Sequence, residues 1–522
     1  MSKHIVIVGG GHNGLVCSTY LARAGFKVTI VERRHVIGGA AVTEEFHPGF
    51  RNSVASYTVS LLHPKIINDL HLHEHGLKIL LRRINNYLPF EDGRSFLSYP
   101  ELKRTCEELD RFSSADANAL IHYYRSLDEI VPVIKEIMLL TPPAIVNGGL
   151  GDILKLFSMS RLFRKLNNTQ KQFLLKLFSV SAGEMLDDIF ESDAIKVLLG
   201  FDAIVGHYAS PYSPGSAYVL LHHVLGEVNG KPGVWGHAVG GMGAITQAMA
   251  KEAINLGVSI KTQAEVKNIE ISKQQAKIIH LADGSSITAD IVVSNVNPKL
   301  LFQQLIEPEN LSDEIFSHFK SYKCQSGTFR MNVALDSLPK FTADMPEFCL
   351  EAGIIMSPSL DYMDQAFTDA RRNGWAKKPI VEMLIPSTID STLTPPGKHV
   401  ASLFCQQFNP DLGSEWDNHR EKVADNIIDT VDNYAPGFTD SVLARQIHSP
   451  WDLEQKFGLT GGDIFHGRLS LDQLFSVRPM LGMAQYQTEI NNLFMCGSGT
   501  HPGGGVSGIP GHNAAREIIR KN

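Results

Sequence analysis

The sequence predicts an α/β protein in which a doubly wound parallel sheet is interleaved with a second, mixed α+β domain. Two observations support this fold class. A strand, a glycine-rich turn and a helix follow one another at the start of the chain, and similar strand, turn and helix signals return near residue 240 and at the end. The stretches between them differ, because residues 100–200 show helical spacing of apolar residues and few strand signals.

The first segment, HIVIVGGGHNGL, begins at residue 4, and its first five residues are typical of a short buried strand. Gly9, Gly11 and Gly14 follow at the G-x-G-x-x-G spacing. In this pattern the first glycine permits the tight turn, the second lets a pyrophosphate approach the backbone, and the third lets the helix pack on the strand. A helix is predicted over residues 13–24, with Gly25 as its C-cap.

The second strand, residues 27–31, ends at Glu32, 18 residues beyond Gly14. An acidic side chain at this point can accept hydrogen bonds from both hydroxyls of an adenosine ribose. The pattern therefore predicts a dinucleotide site and leaves FAD and NAD open. Gly38 and Gly39 follow shortly after Glu32, and a second glycine pair would let the backbone approach the ligand again.

The same logic extends to the middle and the end of the chain. Gly240, Gly241 and Gly243 precede an alanine-rich helix capped by Gly257, strands follow it, and the tail combines a strand, a glycine-rich loop and a helix. We therefore predict a discontinuous nucleotide-binding domain interleaved with a substrate domain that contains a helical insertion. The predicted nucleotide-binding segments are 1–98, 233–300 and 480–522, and the substrate segments are 99–232 and 301–479.

Composition excludes several classes of protein. The net charge of −7 argues against a general nucleic-acid binder, and no apolar run is long enough to span a bilayer. With a strand predicted from residue 4, a signal peptide is not expected, and the predicted location is cytoplasmic. The six cysteines include no C-x-x-C, so neither a disulfide framework nor a thioredoxin-like site is expected.

The glycine turn, Glu32, the VGGMGAITQAMA helix and the C-terminal GSGTHPGGGVSGIPG resemble the carotenoid and retinoid oxidoreductase family. This family lies within the amine-oxidase and phytoene-desaturase superfamily of FAD enzymes. The resemblance implies that the glycine turn and Glu32 hold the ADP half of FAD, that Val266 clamps the adenine, and that the C-terminal glycine loop passes the flavin. An Arg often follows the second glycine pair in this family, but Ala40 and Ala41 stand here, which leaves the phosphate contact to Arg33 or Arg34. The predicted FAD contacts are Gly9, Gly11, Gly14, Glu32, Arg33, Gly38, Gly39, Val266, Gly497, Gly504, Gly505, Val506 and Pro510.

The catalytic candidates are His237, His466 and Arg468, each of which could equally be structural. The resemblance implies hydride acceptance by the flavin, so that no acid–base pair need exist. The histidine-rich HLHEH at 71–75 is predicted to be a surface turn, because it lacks a carboxylate or cysteine partner set, and no metal site is expected.

Three functions follow as hypotheses. The first is an FAD-dependent oxidoreductase that desaturates or saturates a lipophilic, isoprenoid-like substrate, with oxygen or a quinone as possible electron acceptor. The second is a flavin amine oxidase, for which the cavity wall should form a compact aromatic cage. The third is a flavin-free lipid-binding escort of the Rab GDP-dissociation-inhibitor type, against which the intact glycines and Glu32 argue.

Residues 153–180 contain six Lys or Arg and no Asp or Glu, interleaved with apolar residues at helical spacing. This composition suits a peripheral membrane contact through which a lipophilic substrate could enter. A solvated helical face over the substrate domain is the alternative.

Overall fold

The computed structural model describes residues 2–146, 148–343 and 345–522. Its central element is a parallel five-stranded sheet with strands from the start, middle and end of the chain, in the order Ser259–Lys261, Lys27–Val31, His4–Val8, Ile291–Ser294 and Leu493–Met495. The predicted α/β class is confirmed. The side chains of the central strand His4–Val8 point alternately to the two faces of the sheet. Ile5 and Ile7 pack into one apolar cluster, and Val6 and Val8 pack into another.

The two faces of this sheet are covered differently. The helices that pack into the first cluster are His12–Arg23, Gly243–Asn255 and Ile509–Lys521. The second cluster includes an antiparallel sheet of strands Val266–Ser272, Gln275–Leu281 and Ser286–Thr288. The helix His12–Arg23 begins and ends one residue before the helix predicted over residues 13–24. The predicted cap residue, Gly25, lies just beyond its end with a φ of +90°.

A second sheet of seven strands forms the other domain. Its order is Val442–His448, Phe329–Leu335, His399–Phe408, Trp375–Leu384, Gly353–Met356, Asn86–Pro89 and Ser95–Ser98. Neighbouring strands are antiparallel except for the pair of Gly353–Met356 and Asn86–Pro89. Strand pairing places Asn86–Pro89 and Ser95–Ser98 in this sheet, and the predicted domain bounds, including the one at residue 98, remain predictions.

Helices fill the insertion, as the apolar spacing of residues 100–200 predicts. They are Leu102–Leu109, Ser114–Met138, Leu150–Arg164, Asn168–Ser179, Ala182–Ile189, Asp193–Ile204 and Ala217–Val224. Helix Asp313–Ser321 packs into the second apolar cluster of the parallel sheet, whereas Leu360–Asn373, Trp416–Tyr434 and Pro450–Phe457 lie in or beside the second domain. Two short ribbons, Thr43–His47 with Phe50–Ser53 and Ile79–Leu81 with Gly236–Ala238, complete the part that positions the site. Within the described residues, every helix is too short or too polar to cross a bilayer.

Candidate flavin and substrate site

A deep cavity begins at the carboxyl edge of the parallel sheet. Gly9, Glu32, Asn295 and Ser498 line it, and each follows one of four parallel strands. Ligands in open α/β sheets bind at this edge, outside the carboxyl ends of the strands. The space inside the cavity and its open mouth is about 1710 Å³.

The glycines form the floor of the sheet end of this cavity. Gly11 faces Gly39, because a Cβ added to Gly39 would lie 3.2 Å from the Gly11 Cα. Gly38 is bridged to this turn, since its N–H donates to the Gly10 carbonyl at 2.9 Å. A Cβ on Gly14 would lie 2.4 Å from the Gly9 carbonyl oxygen, so only glycine lets the helix start this close to the strand. Gly9, Gly11 and Gly39 line the cavity, while Gly14 and Gly38 support it from behind.

Glu32 is buried, and both of its carboxylate oxygens accept backbone N–H groups. Oε2 accepts from Gly10 at 2.8 Å and Oε1 accepts from Arg34 at 2.9 Å. A carboxylate has about four acceptor positions, so two remain for hydroxyl donors in the cavity. Glu32 thus couples the glycine turn to the second strand end and still lines the cavity.

The two arginines that follow Glu32 separate. Arg33 lines the cavity, and its guanidinium donates to the Gln455 carbonyl at 2.9 Å. Arg34 forms an ion pair with Glu44 and lies over the Phe457 ring, and it does not line the cavity. Of the two side chains predicted for a phosphate contact, Arg33 is therefore the one placed at the cavity.

The predicted adenine and flavin segments lie on the same cavity. Val266 lines it beside Ala264, whose N–H donates to the Glu32 carbonyl at 2.9 Å. Gly505 and Val506 line it from the C-terminal loop. Gly504 packs tightly behind, since a Cβ there would lie 2.8 Å from the Phe465 side chain, and Gly497 packs on the Asn295 backbone. Pro510 lies in the first turn of the final helix, and Gly508 is the N-cap of that helix.

The end of the cavity away from the nucleotide segments is apolar and aromatic. Its lining includes Tyr57, Leu61, Val205, Trp235, Phe404 and Phe465. Charged lining side chains, Glu32, Arg33 and Glu265, lie at the nucleotide end instead. The Tyr57 ring stacks on Phe404, with centroids 5.0 Å apart, so these two rings close one wall rather than enclose a space between them.

Buried charges support this wall from behind. The Tyr57 hydroxyl donates to Glu382 at 2.5 Å, and the Arg330 guanidinium lies 4.6 Å from the Tyr57 ring centroid. Arg82 donates to the Thr58 hydroxyl at 2.9 Å. Burial lowers the pKa of both arginines to about 10, so both stay charged at neutral pH, and burial raises the pKa of Glu382 despite its bond from Tyr57. The charge behind the wall is therefore net positive.

Of the three predicted catalytic candidates, His466 alone lines the cavity. Burial, together with the neighbouring His12 and Arg478, lowers its pKa to about 3, so the ring is neutral at physiological pH. Its Nδ1 has no hydrogen-bond partner among the described residues. Arg478 holds the loop around it, because this buried guanidinium donates to the carbonyls of Phe465 and Ser498 at 2.7 and 2.8 Å.

The other two candidates lie outside the cavity lining. His237 Nε2 is 2.8 Å from Asp390 Oδ2, which also accepts the Gly240 N–H at 2.7 Å. Burial would raise the pKa of Asp390, but hydrogen bonds from His237, Thr392 and Gly240 outweigh it and lower that pKa below its usual range. Arg468 is partly exposed and bonds to Ser470 at 2.9 Å. His237 and Arg468 therefore stabilise turns outside the cavity through these side-chain contacts.

Sequence reasoning missed His12 and His223. His12 lies inside the glycine turn, and burial lowers its pKa to about 4. His223 comes from the Ala217–Val224 helix, and burial likewise lowers its pKa to about 4. Its Nδ1 lies 2.9 Å from the Val219 carbonyl, which can only accept, so the neutral ring carries its proton on Nδ1 and keeps Nε2 as an acceptor. The sequence signal for His12 was its place in the turn, whereas the side of the helix that His223 occupies depends on tertiary packing.

These residues fit FAD. Four cavity-lining side chains carry a buried polar atom without a partner in the described chain: His12 Nε2, Asn13 Oδ1, Ser60 Oγ and His466 Nδ1. Buried polar groups nearly always have a hydrogen-bond partner, so these atoms point to a polar ligand. The glycine cradle gives its backbone room for a pyrophosphate, and the first helix begins at that cradle with no acidic residue in its first turn.

Two further predictions concern residues away from the cavity. The HLHEH segment forms turns, with His73 bonded to the Leu77 carbonyl and His75 bonded to Glu252. All six cysteines are free, and Cys17 and Cys496 lie close together in the apolar core. Burial raises the Cys496 pKa well above its usual value, and neither thiol lines the cavity.

Comparison with known proteins agrees with this geometry. The family model for flavin-containing amine oxidoreductases matches residues 14–328. The mouse pyridine nucleotide-disulfide oxidoreductase domain-containing protein 2 is 40% identical over 99% of this chain and 93% of its own length. A limonene dehydrogenase polypeptide of Castellaniella defragrans is 24% identical over 99% and 94% of the two chains, and a lycopene-forming phytoene desaturase of Pseudescherichia vulneris is 24% identical over 97% and 96%. The structure of cyclohexylamine oxidase from Brevibacterium oxydans superposes with a TM-score of 0.57 at 14% identity, covering 100% of this chain and 99% of its own.

Proposed function

Because the chain belongs to the family of flavin-containing amine oxidoreductases, and is thus a flavin-dependent oxidoreductase, we propose that its flavin is FAD and its substrate an apolar, isoprenoid-like molecule. The reaction is the desaturation or saturation of a carbon–carbon bond. When bound, FAD supplies the hydride acceptor or donor.

The observation that carries the proposal is the lining of the far end of the cavity. Tyr57, Trp235 and Phe404 provide aromatic surface there, and the described lining side chains at this end carry no formal charge. An amine is protonated at neutral pH and needs a carboxylate or an open aromatic cage. Here the charges behind Tyr57 are two arginines and one glutamate, which disfavour a cation.

The residues of this chain then have three tasks. Glu32 and the glycine turn hold the nucleotide half of the cofactor and fix its register. The aromatic wall binds the substrate and excludes water from the reacting carbon. His223 lines the cavity with an unprotonated Nε2, and in this proposal it accepts the proton that desaturation releases with the hydride.

The names of two relatives support the substrate class. Limonene dehydrogenase and phytoene desaturase both refer to isoprenoid hydrocarbons, and each relative aligns along nearly the whole chain. The narrower kinship with carotenoid and retinoid oxidoreductases belongs to this proposal, as does a diffusible electron acceptor such as oxygen or a quinone.

An amine oxidase is the second candidate, and the likeness to cyclohexylamine oxidase favours it. The stacked Tyr57 and Phe404 rings argue against it, because they close one wall and form no cage for an amine. A flavin-free lipid escort is disfavoured by the glycine cradle and the unpartnered polar atoms around it.

Product analysis distinguishes these functions. The purified protein, with a quinone as acceptor, is incubated with monocyclic and linear terpenes and separately with primary amines. We expect terpene products that have lost two hydrogens, with one quinone reduced for each product molecule formed. Aldehyde formed from an amine, with terpenes unchanged, would identify an amine oxidase instead.

A further inference from the structure

The Leu150–Arg164 helix has two apolar faces, of which only one packs on the protein. Met159, Leu162 and Phe163 pack against the helical core on one side. At about 100° per residue, the opposite side carries a stripe at positions i, i+3, i+4 and i+7. This stripe consists of Leu150, Ile153, Leu154 and Phe157, which are 83%, 60%, 68% and 46% exposed. None of the residues of this helix is buried.

Basic residues continue the same stripe. Arg161 and Arg164 lie seven residues after Leu154 and Phe157, hence on the same side, and both are exposed. Their guanidinium carbons lie 4.7 and 5.8 Å from the Phe157 ring centroid, so charge and apolar surface are contiguous. The acidic residue of this helix, Asp152, turns toward the body of the protein, where it accepts from Gln485 at 2.6 Å.

Ion pairs reduce the number of basic side chains available to a partner. Of the six predicted over 153–180, three have carboxylate partners: Lys155 with Asp152, Lys165 with Glu136, and Lys176 with Asp188. Arg161, Arg164 and Lys171 remain without an ion pair among the described residues, and Leu175, 67% exposed, lies near Lys171 on the next helix. The apolar stripe, more than the count of charges, thus distinguishes this surface.

We propose that this stripe docks the protein on an anionic lipid surface. Soluble monomers rarely expose contiguous apolar patches of this kind without a partner. A helix with an exposed apolar face, bordered by arginines, has the composition of one that lies in the interfacial plane of a bilayer. Anionic headgroups complement Arg161 and Arg164, whereas a symmetric contact with a second copy would place these like charges in one interface. The inference does not depend on the proposed substrate.

Vesicle sedimentation of the full chain tests the proposal. The protein is mixed with vesicles of phosphatidylcholine alone or of phosphatidylcholine with phosphatidylglycerol, at low and high salt. We expect sedimentation with the anionic vesicles, weakened by salt. Leu154→Glu should reduce this binding about tenfold or more, since it replaces a leucine that would insert into the lipid surface by a charge.

Matched variants keep the test independent of folding. Ile254→Glu changes a residue of similar exposure, 56%, on the Gly243–Asn255 helix and should bind as the wild type does. Leu150→Gln, at the most exposed stripe position, should weaken binding with unchanged circular dichroism. Wild-type protein that stays in the supernatant with anionic vesicles overturns the proposal. A dimer in solution that Leu154→Glu dissociates, without vesicle binding, would identify the stripe as a contact between copies instead.

Discussion

Glu32 illustrates how one side chain can serve the fold and the ligand together. Its oxygens accept the N–H groups of Gly10 and Arg34, and it lines the cavity. Glu32→Ala should therefore weaken FAD binding by about 1.5–3 kcal/mol, the usual range for a hydrogen bond to a charged group. Titration of the flavin-free protein with FAD, followed by flavin fluorescence, measures this. Glu32→Gln keeps a carbonyl acceptor and should lose less, and unchanged affinity in both variants would place the ribose elsewhere.

His223 is the proposed proton acceptor, and this role can be tested by substitution. His223→Phe keeps an aromatic ring beside Trp235, whose ring centroid is 5.9 Å away, but removes the acceptor nitrogen. Flavin content should remain, while the rate of substrate-dependent flavin reduction should fall about 10²–10⁴-fold, as for loss of a general base. Stopped-flow absorbance provides the rate. His237→Gln serves as the comparison, because that side chain faces Asp390 outside the cavity, and an equal rate loss in both variants would remove His223 from its proposed role.

At the scale of elements, Arg478 holds two loops together. It is fully buried and donates to the carbonyls of Gly467, Gln473, Phe465 and Ser498. Arg478→Met should cost several kcal/mol of stability, about 1–3 for each buried acceptor left unpaired, and should release flavin because His466 and Ser498 lose their support. Arg468→Met is the matched change at an exposed site and should cost about 0–1 kcal/mol. Urea unfolding curves measure the stability of the two variants. Similar midpoints for Arg478→Met and Arg468→Met would show that Arg478 does not hold the loops together.

The elements also show what local sequence can and cannot specify. The first helix was predicted within one residue, because the glycine turn and Gly25 mark its ends by local backbone requirements. The pairing of strand Asn86–Pro89 could not be predicted, because its partner, Gly353–Met356, lies far along the chain and no local signal indicates that pairing. The exposed apolar stripe of the Leu150–Arg164 helix could not be predicted either. Apolar residues occur on both faces of this helix, and the sequence does not indicate which face packs on the protein.

The same limit applies to the candidate site. Glycines and Glu32 could be located because their chemistry dictates their spacing. His223, Tyr57 and the arginine pair behind it could not, because they come from separate elements and meet only after packing. His237 lies just before the Gly240–Gly241 turn in the sequence, which makes it a catalytic candidate. In the structure its ring bonds to Asp390, a residue about 150 positions away.

At the scale of the whole molecule, the neutral histidines that line the cavity make the fold sensitive to acid. Burial lowers the pKa of His12 and His223 to about 4 and of His466 to about 3, against about 6.5 in an unfolded chain. Below pH 6.5 the unfolded chain binds protons that the folded chain does not, so stability is full above that pH and falls as the pH approaches 4. Each histidine contributes a slope of about 1.4 kcal/mol per pH unit in this window.

Urea midpoints at neutral pH and near pH 5 measure this effect. The wild type should be less stable at the lower pH, and His466→Asn, which removes one of these groups, should show a smaller difference. Equal stability at the two pH values would mean that these rings are hydrated or paired in solution.

The proposed function requires that this cavity hold FAD beside an apolar hydride donor. Its most direct test is anaerobic flavin absorbance of the purified protein, recorded while a terpene hydrocarbon or a primary amine is added in separate cuvettes. We expect a yellow protein with one flavin per chain, whose flavin is bleached by the hydrocarbon and unaffected by the amine. A colourless protein that takes up no added FAD, or a flavin bleached only by the amine, would contradict the proposed function.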